Sequence, residues 1–454
     1  MKTVIESDRV WAGGTVHDGW TVTISAGTIL RVGPPARHQD VTVRLPGRLL
    51  VPGLVNAHSH AFQRAFRGQV QRTADGQDDF WSWRTAMYGV AGTLPPEGVH
   101  AVSRLAFLEM AEAGITRVGE FHYLHHAPDG TPYADPEELA RRVIAAALDV
   151  GIRITLLRVV YGRNGPGEPL AGAQLRFADR GPEDALAALD RLGDLAGDRV
   201  GLGLAPHSVR AVPGVWLRDL AGFAGVVHAH VAEQPREVAI CRAEHGRSPL
   251  QVLAAAGLVS ERFTAVHLTW PDEGDLTRLR DAGGRVCACP STELDLGDGF
   301  LPLAAREVPL CVGSDSQARI DLLGEVRALE WHGRAVAGRR NVMSPPGERH
   351  GLAARLLDIA TRGGARALGV PVPDAAGLAA GRPADLVALD LERPAAAGVP
   401  PLEAVVFGGG PEWVTDVWVA GERVVADGRH PRREEVARAA APWLSGVAGE
   451  PARG

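Results

Sequence analysis

LVPGLVNAHSH, residues 50–60, sets a Pro-Gly turn before a short apolar run that ends on two histidines, His58 and His60. Two residues apart on a strand, these side chains leave the same face, so both imidazoles can reach one ion. An HxH pair alone is a weak signal, because many such pairs lie on surfaces. Here it ends the first of eight β-rich runs. The others are TRVGEFHYLHH (116–126), RITLLRVVY (153–161), VGLGLAPHS (200–208), GVVHAHVAE (225–233), FTAVHLTW (263–270), RVCACPST (285–292) and PLCVGSDS (309–316). Between them lie amphipathic stretches such as PEELARRVIAAALDVG (136–151) and GPEDALAALDRLGDLAG (181–197). Strand and helix alternating over eight units predict an α/β fold, a parallel (β/α)8 TIM barrel over residues 51–374. The longest insertion holds DDFWSWRTAMY (78–88), which reads as an aromatic-rich loop.

The two ends have a different texture. RVWAGG (9–14), WTVTISAGTILRVG (20–33) and VTVRLPGRLLVPG (41–53) are short strands with Gly-rich turns, as are ADLVALDLE (384–392) and VTDVWVAGERVVADG (414–428). Together they predict a small β-sandwich domain built from both termini, residues 1–50 with 375–430. Residues 431–454 read as a tail with one short helix and a frayed end.

A chain of 454 residues, 45% of them hydrophobic, has room for a barrel and an accessory domain. Its formal net charge of −6 speaks against a nucleic-acid partner. No run approaches the ~20 apolar residues of a membrane span. The first residues lack the layout of a secretory leader, so a cytoplasmic location is expected. The four cysteines are sparse, and Cys287 and Cys289 share a strand face, so reduced core thiols are expected. Lys2 is the only lysine, which excludes lysine chemistry from a deep site.

Polar groups collect at the C-terminal ends of the strands, the rim where TIM barrels carry their chemistry. His58, His60, His230 and Asp315 form a candidate metal-ligand set. His228 shares a face with His230 and rivals it, but His230 lies nearer the strand end and Glu233. Glu233, three residues on, can carry protons; His267 closes the sixth strand and can hydrogen-bond the reacting water or oxyanion. Asp315 closes the eighth strand, where its bland alternative is a helix N-cap.

On these residues the chain resembles the amidohydrolase superfamily, with HxH after strand one, His after strands five and six, and Asp after strand eight. Within it the chain is similar to the formimidoylglutamate deiminases, through NAHSHAFQRAFRG (56–68), DDFWSWRTAMY, GEFHYLHH (119–126), PHSVR (206–210), HVAEQPREV (230–238), CPSTELDLGDG (289–299) and GSDS (313–316). The resemblance implies hydrolysis of N-formimino-L-glutamate to N-formyl-L-glutamate and ammonia, a step of histidine degradation. Asp315 takes the proton of the attacking water, His267 assists and polarises, and Glu233 protonates the departing nitrogen. The ion is one divalent metal, Zn²⁺ before Fe²⁺ or Mn²⁺, since no lysine is available to bridge a pair. The substrate is a small dicarboxylate, which asks for arginine forks and hydroxyl donors. The resemblance assigns its binding to Gln63, Arg84, Tyr123, His207 and Arg210, and implies a homodimer. A deaminase of a nucleobase or triazine-like ring is the nearest alternative, and an inactive barrel serving as a binding module is the other.

Overall fold

The computed structural model of the chain describes residues 2–36, 41–71, 79–344, 351–372 and 375–444. Its centre is an eight-stranded sheet whose strands neighbour one another in chain order. They are β1 (Leu54–Ser59), β2 (Ile115–His122), β3 (Arg153–Val160), β4 (Val200–Pro206), β5 (Val227–Val231), β6 (Phe263–His267), β7 (Arg285–Ala288) and β8 (Leu310–Val312). All pairings within it are parallel. β1, β2 and β3 are buried at every position, as expected of strands covered on both faces.

The ring closes between β8 and β1 through the candidate ligands themselves. Asp315 N donates to His58 O and His60 N donates to Asp315 O, each at 3.0 Å. Two features allow so close an approach. A Cβ on Gly313 would stand 2.6 Å from His58 O, so only glycine fits. Asn56 then stitches the seam, donating to Ser314 Oγ at 2.7 Å and accepting from Ser314 N at 3.1 Å.

One expectation is corrected. DDFWSWRTAMY is helical from its third residue: Phe80–Ala91 form an α-helix. The signal was Asp79, whose carboxylate accepts from Trp81 N and Ser82 N while Ser82 Oγ accepts from Asp79 N, a capping box three residues wide. Asp78 lies outside the described residues. Gln63, predicted on the same excursion, sits in a 3-10 turn, Ala61–Phe66.

Strands from both ends form a second, mixed sheet. In it Val43–Pro52 pairs parallel with Lys2–Ala12 and antiparallel with Leu386–Asp390. The period-two alternation explains its place. Leu49, Val51, Val387, Leu389 and Val417 face the main core, whereas Leu50, Leu386, Ala388 and Trp418 face a separate smaller one. Arg153 at the start of β3 ties the two sheets, donating from Nε to Asp385 Oδ2 at 2.8 Å. The tail holds a helix, Arg433–Ala440, and its end from residue 445 lies outside the described residues. All four cysteines are free and buried. Among the described residues no helix is long and apolar enough to cross a membrane.

Candidate active site

Ligand atoms of His58, His60, His230 and Asp315 all lie within 4.8 Å of one another, and all four side chains are buried. Nε2 of His58 is 3.1 Å from Nε2 of His60 and 3.2 Å from Nε2 of His230. Asp315 Oδ1 stands 3.2 Å from Nε2 of both His58 and His60. Four donors around one zinc ion, at ~2.0 Å each, are separated by tetrahedral edges of ~3.3 Å. The set has that size. His60 donates its Nδ1–H to Phe121 O at 3.0 Å, which turns the lone pair of Nε2 toward the others. Burial pushes the His58 imidazole down to about 3 and holds His230 well below the usual histidine range, so both are neutral ligands at pH 7. Burial would raise Asp315, but hydrogen bonds to His58 and His60 hold its carboxyl well below the usual range. Such a set needs a cation. The rival His228 points elsewhere, with Nε2 donating to Ala367 O at 2.8 Å.

Backbone strain collects here. Asp315, His267, Leu268 and Gln317 all have positive φ, between 47° and 70°. Residues are held in that region only where the surroundings over-determine them, and they mark functional sites more often than chance. Gln317 is part of the constraint: its Nε2 donates to Ser59 Oγ at 2.9 Å and to Asp315 O at 3.0 Å.

Beside the ligand set stand His267 and Glu233, the residues expected to carry protons. His267 Nε2 lies 3.5 Å from Glu233 Oε1 and 3.8 Å from Asp315 Oδ2. Its Nδ1 meets Glu293 Oε1 at 3.4 Å, and that same oxygen accepts from Cys289 N at 2.8 Å. Burial opposes a charge on His267, yet Glu233 and Glu293 outweigh it and raise the ring to about 10. Burial pushes Glu233 up to about 7, against the pull of His267.

A cavity of about 510 Å³ opens onto these groups. Gln63, Arg84, Tyr123, His207 and Arg210 all line it, together with His60, His230, Glu233, His267 and Asp315. Gln63 Nε2 donates to Tyr123 Oη at 2.9 Å. Arg84 Nε donates to Tyr88 Oη at 2.5 Å and its Nη2 to Asn164 Oδ1 at 3.3 Å; Arg210 Nη1 donates to Asn164 O at 3.3 Å. Neither guanidinium has a carboxylate within salt-bridge distance among the described residues, whereas many other arginines of the chain do. Burial pushes the Tyr161 phenol up, but Arg210 and Arg84 outweigh it and bring it to about 8.

Several lining groups escaped the sequence reading. Tyr88 comes from the helix taken for a loop, Tyr161 follows β3, and Trp83 also lines the cavity. Gln174 joins the group from a distant 3-10 turn, donating to Asn164 Oδ1 at 2.7 Å. No spacing links these positions. Trp81 does act as a platform: the Arg84 and Arg236 guanidiniums lie 5.4 and 4.5 Å from its ring centre. His125 and His126 lie in the loop after β2, as expected.

A parallel barrel closed by a His-x-His strand and an aspartate, with imidazoles converging on one point, defines a class. A model of the amidohydrolase family matches residues 49–424, and the chain belongs to that family. Over 437 residues it is 40% identical to the formimidoylglutamate deiminase of Pseudomonas aeruginosa, covering 93% of this chain and 95% of that one. The fold of an amidohydrolase from Brucella melitensis superposes with a TM-score of 0.90 at 34% identity, covering 98% of this chain and all of that one (100%). An adenosine deaminase from Xanthomonas campestris with bound zinc superposes with a TM-score of 0.84 at 26% identity, covering 98% of each chain.

Proposed function

We propose that the protein is a deiminase that hydrolyses N-formimino-L-glutamate to N-formyl-L-glutamate and ammonia. One observation carries the choice of substrate. Arg84 and Arg210 line the same cavity as the histidine cluster, with no carboxylate within salt-bridge distance of either among the described residues. A dicarboxylate with a formimino group at the far end completes that lining. The planar, largely uncharged rings of nucleobase or triazine deaminases need no such pair.

His58, His60, His230 and Asp315 would hold one divalent ion, for which their donor set suits Zn²⁺. That ion polarises the reacting carbon and makes water acidic. The side chains do the rest. Arg84 and Arg210 bind the two carboxylates, assisted by Gln63, Tyr123 and His207. Asp315 takes a proton from the attacking water, whose oxygen adds to the formimino carbon. His267, with Nε2 between Glu233 and Asp315, hydrogen-bonds that oxygen as charge develops. Glu233, entering protonated, gives its proton to the terminal nitrogen and the proton held by Asp315 follows; as the C–N bond breaks and ammonia leaves, Glu233 takes the hydroxyl proton and is restored. Water plus amidine thus balance formamide plus ammonia. A carboxyl pushed up to about 7 suits Glu233 to both halves of this transfer.

The reading places the enzyme in histidine breakdown, as a cytoplasmic homodimer with no nucleic-acid partner. Its acidic net charge, −6, and the exposed Trp331 and Val336 on the helix Leu322–Ala337 support this. Ammonia release from a panel of N-formimino-L-glutamate, N-formimino-L-aspartate, adenosine and a triazine decides the substrate. Turnover of a ring compound in preference to the formimino acids would discard the assignment.

A further inference from the structure

Beside Glu233 and His267 lies a group the mechanism does not use and that is not among the cavity's lining residues. Asp298 sits in the turn after the helix Pro290–Asp295, between Gly297 and Gly299, whose φ values of +69° and +113° suit glycine. Its backbone is pinned on both sides: Asp298 N donates to Glu293 O at 2.8 Å, and Trp270 Nε1 donates to Asp298 O at 2.6 Å. Gln234 Nε2 donates to Oδ1. The second oxygen, Oδ2, is buried with no partner among the described residues, and the residue is 0% exposed. His267 Nε2 is likewise buried and unpartnered by hydrogen bonds. Ligand atoms of Glu233, His267 and Asp298 all lie within 4.8 Å of one another.

We infer that Glu233, His267 and Asp298 form a second divalent-cation site, distinct from the His58–His60–His230–Asp315 set, whose occupation silences the enzyme. Asp298 is buried, Glu233 beside it is half-buried, and a carboxylate oxygen buried without a hydrogen-bond partner favours a bound cation. One imidazole and two carboxylates are a zinc-type donor set, with water free to complete it. Glu233 Oε1 and His267 Nε2, 3.5 Å apart, already stand near the ~3.3 Å edge of a tetrahedral zinc site. The site is weaker than the four-ligand one, having one donor fewer. An ion there takes the lone pairs of Glu233 and His267, the groups that hold and pass protons.

The test counts zinc ions on the full chain by equilibrium dialysis and elemental analysis, beside turnover. Wild type should take a second Zn²⁺ per chain, and its turnover should fall about tenfold or more as that ion binds. Asp298→Asn keeps the oxygen facing Gln234, so it should bind one Zn²⁺ and lose the inhibition while remaining active. Glu233→Gln, inactive by design, should also bind only one, which serves if Asp298→Asn fails to fold. A wild-type chain that saturates at one ion overturns the second site. So does a second ion retained by either variant.

Discussion

Arginine does two different jobs at the two ends of the barrel. At the N-terminal end, Arg153 is 4% exposed and faces Asp385 with two nitrogens, at 2.8 and 3.2 Å, while Nη1 reaches Asp198 O at 2.5 Å. Each of its three nitrogens donates. At the C-terminal mouth, Arg84 and Arg210 meet phenols, the Trp81 ring, an amide oxygen and a backbone carbonyl, all of them uncharged partners. A paired arginine stabilises the fold and has nothing left for a ligand. An unpaired one in a half-buried wall costs desolvation and is compensated when an anion binds. Carboxylate pairing distinguishes Arg153 from Arg84 and Arg210, whereas the fully buried Arg176 donates instead to the backbone oxygens of His126, Ala91 and Leu94.

That contrast can be broken by experiment. The largest effect belongs to the mouth. Glu233→Gln keeps the shape and loses the proton, so kcat should fall about 10²–10⁴-fold with the melting temperature unchanged; turnover within a factor of a few of wild type would remove Glu233 from proton transfer. Next comes Arg153→Met at the closed end, which strands Asp385. It should cost about 2–3 kcal/mol in chemical denaturation while the folded protein keeps its KM; an undisturbed midpoint would mean the pair is idle. Arg210→Ala should do the opposite. KM should rise about 10–100-fold, while stability holds or improves because an unpaired charge has left the interior. A lower melting temperature with normal KM would reverse the assignment of the two ends. The smallest expected effect is Asp79→Ala, which removes the cap of the helix carrying Arg84. It should cost about 1 kcal/mol, with a modest rise in KM as Arg84 loses its platform.

How much of this was legible beforehand depended on distance along the chain. The HxH pair and the strand-end acids were readable because a strand's period of two and the rim rule of parallel barrels act on adjacent residues. The capping box at Asp79 and Ser82 was equally local, and it was overlooked because the aromatics around it mimic a loop. Tyr88, Tyr161, Asn164 and Gln174 were beyond reach, since three distant segments supply them and nothing in the spacing of those segments relates them. The choice of His230 over His228 rested on proximity to the strand end; the carbonyl of Ala367 beneath His228 could not be foreseen.

Strand order, the rim on which chemistry sits and the identity of the four converging donors were thus written in the amino-acid sequence, because each follows from short-range periodicity. The tertiary fold decided which charges find partners. Asp385 reaches Arg153 across 232 residues, no carboxylate lies within salt-bridge distance of Arg84 or Arg210 among the described residues, and Asp298 Oδ2 is buried near Glu233 without a hydrogen-bond partner. Electrostatic free energy falls with distance in space, and chain separation carries no information about it.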